Sequence, residues 1–317
     1  TPCDNGVAGI YPCLGYDLLA KISLETFGSE AANDNWGWVD LESGKEYVLS
    51  GLDDGTAFID ISDPKNPIFL GKLPTATTVS PWRDIKVYEN HAFIVSEAPE
   101  HGLQVFDLTR LRLLDEFQIF TSDASLTAFG NAHNIWINQE SGYACVFGSK
   151  LYQGGPVFID ISNPKNPTIE GGYADDSYTH DAQIVIYDGP DTQYKGRELL
   201  FGSNSDGGEN NQIIIIDITD KSNPIRINSI TYTNGGYSHQ GFLSEDHQYF
   251  FLGDELDELQ YGAPTQTRIF DLTSLSNPTL HVNYFGGVNA IDHNGYVKGD
   301  KFYLASYTAG LRVLDIS

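Results

Sequence analysis

One phrase recurs along this chain and constrains its fold more than any other feature. It is an apolar strand ending in Asp, then Ile or Leu, then Ser or Thr, often with a Pro-bearing turn behind it. The copies are AFIDISDPKNP (57–67), LQVFDLTRL (103–111), VFIDISNPKNP (157–167), IIIDITDKSNP (214–224), RIFDLTSLSNP (268–278) and LRVLDIS (311–317). The shared Asp falls at 60, 107, 160, 217, 271 and 315, at spacings of 47, 53, 57, 54 and 44 residues. A period of that size, filled with strands and turns, is what a four-stranded propeller blade needs. By length alone, 317 residues would suit about two ordinary domains. The repeat instead points to an all-β chain, a single β-propeller domain over 1–317.

Each unit reads as four short strands, labelled a to d from the centre outward. In the second unit they are DIKVY (84–88), AFIVS (92–96), LQVFD (103–107) and LDEFQI (114–119). β-Branched and aromatic residues dominate them, and Gly, Asn, Asp and Pro punctuate. No stretch shows helical periodicity. The last unit supplies strands a to c and lacks d, whereas LLAKISL (18–24) has the character of a d strand with no a, b or c before it. Pairing the two would complete a sixth blade and remove open edges. A chain running on past Ser317 would make seven blades. A linear β-solenoid is the alternative, but it leaves that N-terminal strand unexplained.

The Ser-Asp/Asn-Pro-Lys-Asn-Pro segments read as turns, because Pro fixes φ and Asn or Asp bonds its own backbone. An array of these Asp residues binding calcium is the weaker reading, since each copy belongs to a different blade. Asp206, Gly207, Gly208 and Glu209 resemble a calcium loop but match no strong signature.

The starts of the six a strands align as DNWGWVD (34–40), WRDIKVY (82–88), AHNIWIN (132–138), THDAQIV (179–185), SHQGFLS (238–244) and DHNGYVK (292–298). The second position holds Asn35, Arg83, His133, His180, His239 and His293, so four of the eight His share one register. The third holds Trp36, Asp84, Asn134, Asp181, Gln240 and Asn294. In a propeller the a strands line the central channel, so these side chains are expected to converge at its mouth. The b–c loops belong to the same face, including SEAPEHG (96–102) and the acidic GDELDELQYG (253–262). Asp254, Glu255, Asp257 and Glu258 are therefore expected at the rim. Taken alone, the DELDE run reads as a solvated loop.

Imidazoles and carboxylates on one scaffold suit a divalent transition metal, with nearby Asp favouring harder ions such as calcium. The expected metal ligands are His133, His180, His239 and His293. Asn35, Asp84, Asn134, Gln240, Asn294, Asp254 and Glu255 are expected to line the ligand site, with third-position Asp and Asn orienting imidazoles. Arg83 would clamp an anion on a substrate, and Asp181 or Asp292 would orient a His or act as base. The competing reading is structural: a His at this register ties blades together through backbone or hydroxyls, with Thr179, Ser238 and Asp292 taking part. The chain contains no G-x-S-x-G, P-loop or zincin H-E-x-x-H, so any chemistry would be metal-assisted.

Charge narrows the partners. With 18 Lys and Arg against 43 Asp and Glu, the net charge is −25. Phosphate binding needs clustered cations, so the charge balance argues against nucleic acid and anionic membrane surfaces as partners. The longest notable apolar run, IIII at 213–216, is strand-sized rather than membrane-sized. Cys3 and Cys13 lie close together in a Gly/Pro-containing segment (1–17) and suit a local disulfide, with reduced thiols the alternative; Cys145, in YACVFG, reads as a buried free thiol. The chain starts at Thr1 without a basic n-region or h-region, as when a leader has been removed or lies outside the sequence. One staple fits an exported protein.

The chain resembles the LVIVD-repeat β-propellers called choice-of-anchor B proteins. The likeness runs through AGIYPCLGYDLLA (8–20), NDNWGWVD (33–40), GLDDGTAFIDISDP (51–64), WRDIKVYENHAFIVSEA (82–98), AHNIWIN (132–138), YTHDAQIVIYDGPD (178–191), YSHQGFLSEDHQYFFLGDELDE (237–258) and AIDHNGYVKGDKFYLASYTAGLRVLDIS (290–317). The resemblance implies a bacterial exported protein, displayed at the cell surface or released, with anchors that differ between members. It implies no reaction. Members of that family continue past the position of Ser317 through one more blade and an anchor. The expectation is a surface recognition or scaffold module for a glycan or protein, with a metal or small-ligand site at the His ring. The alternative is a metal-dependent lyase or hydrolase acting on an acidic glycan or other anionic substrate.

Overall fold

The structure, a computed structural model, describes every residue except Asp115, Asp206, Gly208 and Glu209. The calcium-loop reading of 206–209 falls on three of these and lies outside the described residues. The described chain is all-β, built from successive antiparallel meanders of four strands, the blades of a β-propeller. It divides into two compact units, Thr1–His133 with Asn163–Pro167, and Asn134–Ser162 with Thr168–Ser317.

The first unit holds blades 1 and 2. Blade 1 runs Ala32–Val39, Glu46–Leu52, Gly55–Asp60 and Ile68–Pro74, and blade 2 runs Arg83–Tyr88, His91–Ser96, Leu103–Asp107 and Ala124–Leu126. Their shared core is aromatic, with Phe58 stacked on Phe106 at 4.5 Å and Phe120 edge-on to Phe58 at 5.6 Å. The fourth strand of blade 2 is not LDEFQI, as expected. Gln118–Ile119 instead pairs parallel to Ile68–Pro74 as a fifth strand of blade 1, and Ala124–Leu126 takes the d position. The reason lies next door: burying Phe120 against Phe58 and Phe106 draws the preceding residues to the edge of blade 1.

The segment LLAKISL, expected to close the sixth blade, is not a strand either. Ser23 caps a one-turn helix, Leu24–Phe27, by accepting the Thr26 N–H at 3.3 Å, and Gly28 ends it at φ 63°. Ile22 and Phe27 pack on Leu52, Ala57 and Ile59 of blade 1. Local capping and this apolar surface settle the segment there. Before it, a hairpin of Val7–Ala8 and Tyr11–Pro12 is stapled by the Cys3–Cys13 disulfide, Cα to Cα 5.9 Å.

The second unit holds blades 3 to 6. They run Asn134–Asn138, Tyr143–Phe147, Val157–Asp160, Thr168–Gly172; Thr179–Ile186, Glu198–Asn204, Gln212–Asp217, Ile225–Thr231; Ser238–Leu243, Tyr249–Asp254, Gln266–Asp271, Thr279–Phe285; and Asp292–Lys298, Lys301–Ser306, Gly310–Asp315. The last blade has three strands among the described residues. The IIII run shows why a c strand carries no polar face. Ile213 and Ile215 enter the core shared with Phe250 and Phe270 of blade 5, whereas Ile214 and Ile216 enter the core shared with Phe147 and Phe158 of blade 3. Side chains alternate along a strand, so a strand sandwiched between neighbours is apolar throughout. Cys145 is a buried free thiol in this unit.

The repeated Asp is turn chemistry in all six copies. Its Oδ1 accepts the backbone N–H two residues on: Ser62 to Asp60 (2.9 Å), Thr109 to Asp107 (3.1 Å), Ser162 to Asp160 (2.8 Å), Thr219 to Asp217 (3.0 Å), Thr273 to Asp271 (2.7 Å) and Ser317 to Asp315 (3.1 Å). No helix among the described residues is long and apolar enough to cross a membrane.

Candidate functional site

The a strands of blades 4, 5 and 6 begin at Thr179, Ser238 and Asp292, and each places its His one residue in. The shared register stacks the imidazoles. The ring centroids of His180 and His239 lie 4.1 Å apart, and those of His239 and His293 lie 4.2 Å apart. His180 Nδ1 is 2.8 Å from the His239 carbonyl. A carbonyl only accepts, so Nδ1 carries the proton and Nε2 is the lone-pair nitrogen. This one bond is the blade-to-blade tie that the structural reading expects, and it leaves His180 in a ligand-competent tautomer.

Glu255, just past strand b of blade 5, completes the centre. Its carboxylate stands 3.7 Å from His239 Nε2 and 3.8 Å from His293 Nε2. Donor atoms of His239, Glu255 and His293 all lie within 4.8 Å of one another. Two imidazoles and a carboxylate form a zinc-type donor set. Tyr307 donates its hydroxyl to Glu255, and its ring sits 5.4 Å from His293. Burial and the Glu255 carboxylate push the Tyr307 phenol up to about 12. Tyr237 meets His180 edge-on at 5.3 Å.

Beside this centre lies a buried acidic group. The DELDE run is not a solvated loop: Asp257–Tyr261 is a short helix ended by Gly262 at φ 69°. That turn buries Asp254 and Asp257 and half-buries Glu258. Asp254 is consumed by structure, accepting from Tyr232 Oη (2.8 Å) and the Gly236 (3.0 Å) and Tyr237 (2.7 Å) amides. Asp257 pairs with Arg268 at 2.7 Å. Burial, with the neighbouring Asp257, raises Glu258 to about 7, and burial raises Asp292 well above the usual carboxylate range.

The other expected residues lie outside that donor set. His133 Nδ1 meets Glu97 Oε1 at 2.6 Å, in the first unit. Arg83 is wholly buried; its Nε donates to the Leu52 carbonyl at 3.0 Å, and its Nη1 meets His101 Nε2 at 3.0 Å. Burial lowers Arg83 to about 10 and His101 to about 4. A guanidinium so enclosed presents no face to a substrate, which corrects the anion-clamp expectation. Asp84 accepts from Lys86 at 2.6 Å, Asn134 donates to the His180 carbonyl at 2.9 Å, and Gln240 accepts the Gly295 amide at 2.9 Å. Asp181 is buried in its strand opposite Ser203; Asn35 is exposed and Asn294 half-buried. Sequence reasoning passed over Tyr307, Tyr237 and Glu97. Glu97 had a signal, because Glu97 and Glu255 both follow strand b directly, after Ser96 and Asp254.

The repeats have a family match. The LVIVD repeat family covers residues 129–175 and 207–231. The chain carries LVIVD repeats. No curated protein matches the LVIVD-repeat chain in sequence. Among solved structures it is similar to the hydrazine synthase of Kuenenia stuttgartiensis, at 14% identity and TM-score 0.57 over 86% of this chain and 81% of that one. It is also similar to a functionally unknown protein from Desulfotomaculum acetoxidans DSM 771, at 12% identity and TM-score 0.59 over 88% and 81%. A protein from Lactobacillus plantarum follows at 13% identity and TM-score 0.54 over 83% and 77%. Likeness at these identities speaks for the LVIVD-repeat chain's fold alone.

Proposed function

We propose that this LVIVD-repeat protein is an exported, cell-surface recognition module of the choice-of-anchor B kind, carrying a zinc-class ion on His239, Glu255 and His293. The observation behind the reading is the convergence of those three donors within 4.8 Å, two imidazoles at one register of adjacent a strands and a carboxylate just past strand b. Three protein donors leave a coordination position for an oxygen of a bound molecule. At net charge −25 the surface repels anionic polymers, so a cation would bridge it to an acidic glycan. When bound, the ion would supply Lewis acidity and an anchoring charge. The chain's own residues do the rest: Tyr307 orients Glu255, and the His180 tie to the His239 carbonyl fixes the backbone that carries a ligand. The Cys3–Cys13 disulfide supports an oxidising compartment.

The test uses protein purified without a histidine tag. Elemental analysis is expected to find about one equivalent of transition metal, lost in His239→Ala and in Glu255→Ala with the fold retained by circular dichroism. Binding to acidic polysaccharides on an array is expected to vanish with chelator. Absence of stoichiometric metal, or glycan binding indifferent to chelator, sinks the reading. Unsaturated products from such a polysaccharide would make the protein a lyase instead.

A further inference from the structure

Three carboxylates outside that donor set also converge. Asp257, Glu258 and Asp292 bring carboxylate oxygens within 4.8 Å of one another. Acidic clusters are common on surfaces, but this one is interior. Asp292 is 0% exposed, and neither of its carboxylate oxygens has a hydrogen-bond donor. Directly opposite it across the strand pair, Ser306 is 1% exposed, and its hydroxyl also lacks a partner. Asp257 Oδ1 and Glu258 Oε2 are buried without donors as well. Buried polar atoms are ordinarily satisfied, so a concentration of orphaned oxygens marks a missing positive partner.

We propose that Asp257, Glu258 and Asp292 form a second cation site, all-oxygen in character and suited to calcium. The charges agree. Arg268 neutralises one of the three carboxylates through Asp257, which leaves two negative charges for one divalent ion. The donor chemistry agrees too. Carboxylate and hydroxyl oxygens suit hard ions, and calcium accepts the irregular, partly bidentate sets that magnesium's octahedron refuses. Asp254, the fourth acid of the region, already spends its oxygens on Tyr232, Gly236 and Tyr237. The site goes beyond the zinc-type centre and depends on none of its residues, although Asp292 and His293 are neighbours in sequence.

The experiment titrates calcium chloride alone, and zinc chloride alone, into chelator-treated, untagged full chain, following melting temperature and binding heat. Calcium is expected to raise the melting temperature of the wild type and of His239→Ala. It is expected to have no such effect on Asp292→Asn or Glu258→Gln, whose calcium affinity falls about tenfold or more. Zinc is expected to do the reverse, acting on the wild type and Asp292→Asn but not on His239→Ala. The two carboxamide variants are near-isosteric; Glu258, being half-buried, carries the test if Asp292→Asn does not fold. No calcium response in the wild type overturns the proposal, because protons then neutralise the cluster. An undiminished response in both variants overturns it equally. Loss of the zinc response with calcium retained rejects the proposed function and leaves this site standing.

Discussion

Gly241 and Gly295 stand where blade 3 has Ile135 and blade 4 has Ala182, two positions after the aligned His. A Cβ at either would lie 2.1 Å from the Cζ of a ring on strand b, Phe250 or Phe302. The aromatic ring fills the space that the a strand leaves vacant, so each blade trades side-chain volume between its two inner strands. Gly241→Ala is therefore expected to cost about 1–3 kcal/mol, read as a lower denaturant midpoint at unchanged slope. Adding Phe250→Leu should recover part of that loss, since the two positions share one volume. At this scale the sequence was legible where a residue type repeats and opaque where a contact is unique. His180, His239 and His293 were visible as a column in the alignment. Glu255 was expected at the rim from its acidic loop, whereas Glu97 was visible only once the end of strand b was fixed. Tyr307 had no signal, because its place beside Glu255 depends on a loop of blade 6 meeting a loop of blade 5.

Among the elements, the N-terminal segment is the least embedded. Most of residues 1–17 are exposed, and the two-residue strands of the hairpin bury little. The Cys3–Cys13 closure should hold that segment in place by about 2–3 kcal/mol of chain entropy, without supporting the blades. Reduction is thus expected to speed amide exchange and proteolysis within 1–17 while the main melting transition moves by less than about 2 °C. A large drop in the main transition would show that the segment carries blade stability. The reassignment of LLAKISL and LDEFQI belongs to this scale as well. Both have strand-like composition, but a serine cap settles one and the burial of Phe120 settles the other. Composition states what a segment tolerates, and neighbours decide what it does.

For the molecule as a whole, acid stability should follow the repeated turns. In Asp217, burial would raise the carboxyl, but the Thr219 hydroxyl and amide and the Arg197 guanidinium outweigh it and hold it below the usual range. Asp60, Asp107 and Asp271 are lowered by the same kind of hydrogen bonding, and Asp315 is lowered to about 2. A depressed carboxyl stabilises the fold above its unfolded value, about 4, and that contribution is lost as pH falls toward the folded one. The melting temperature is expected to drop steeply from pH 5 toward pH 2. Asp217→Asn should cost about 1 kcal/mol at pH 7 and converge on the wild type near pH 2; a constant gap between the two curves across that range would exclude the linkage. The sequence by itself determined the repeat, the strand content, the turn chemistry and the His register, because each is written in spacings of a few residues or in one period of the chain. Only the tertiary structure decided which imidazoles gain a carboxylate, that Arg83 is sealed in the interior, and that Asp292 is buried without a donor. Those outcomes depend on how loops from separate blades approach one another, a geometry that no local spacing encodes.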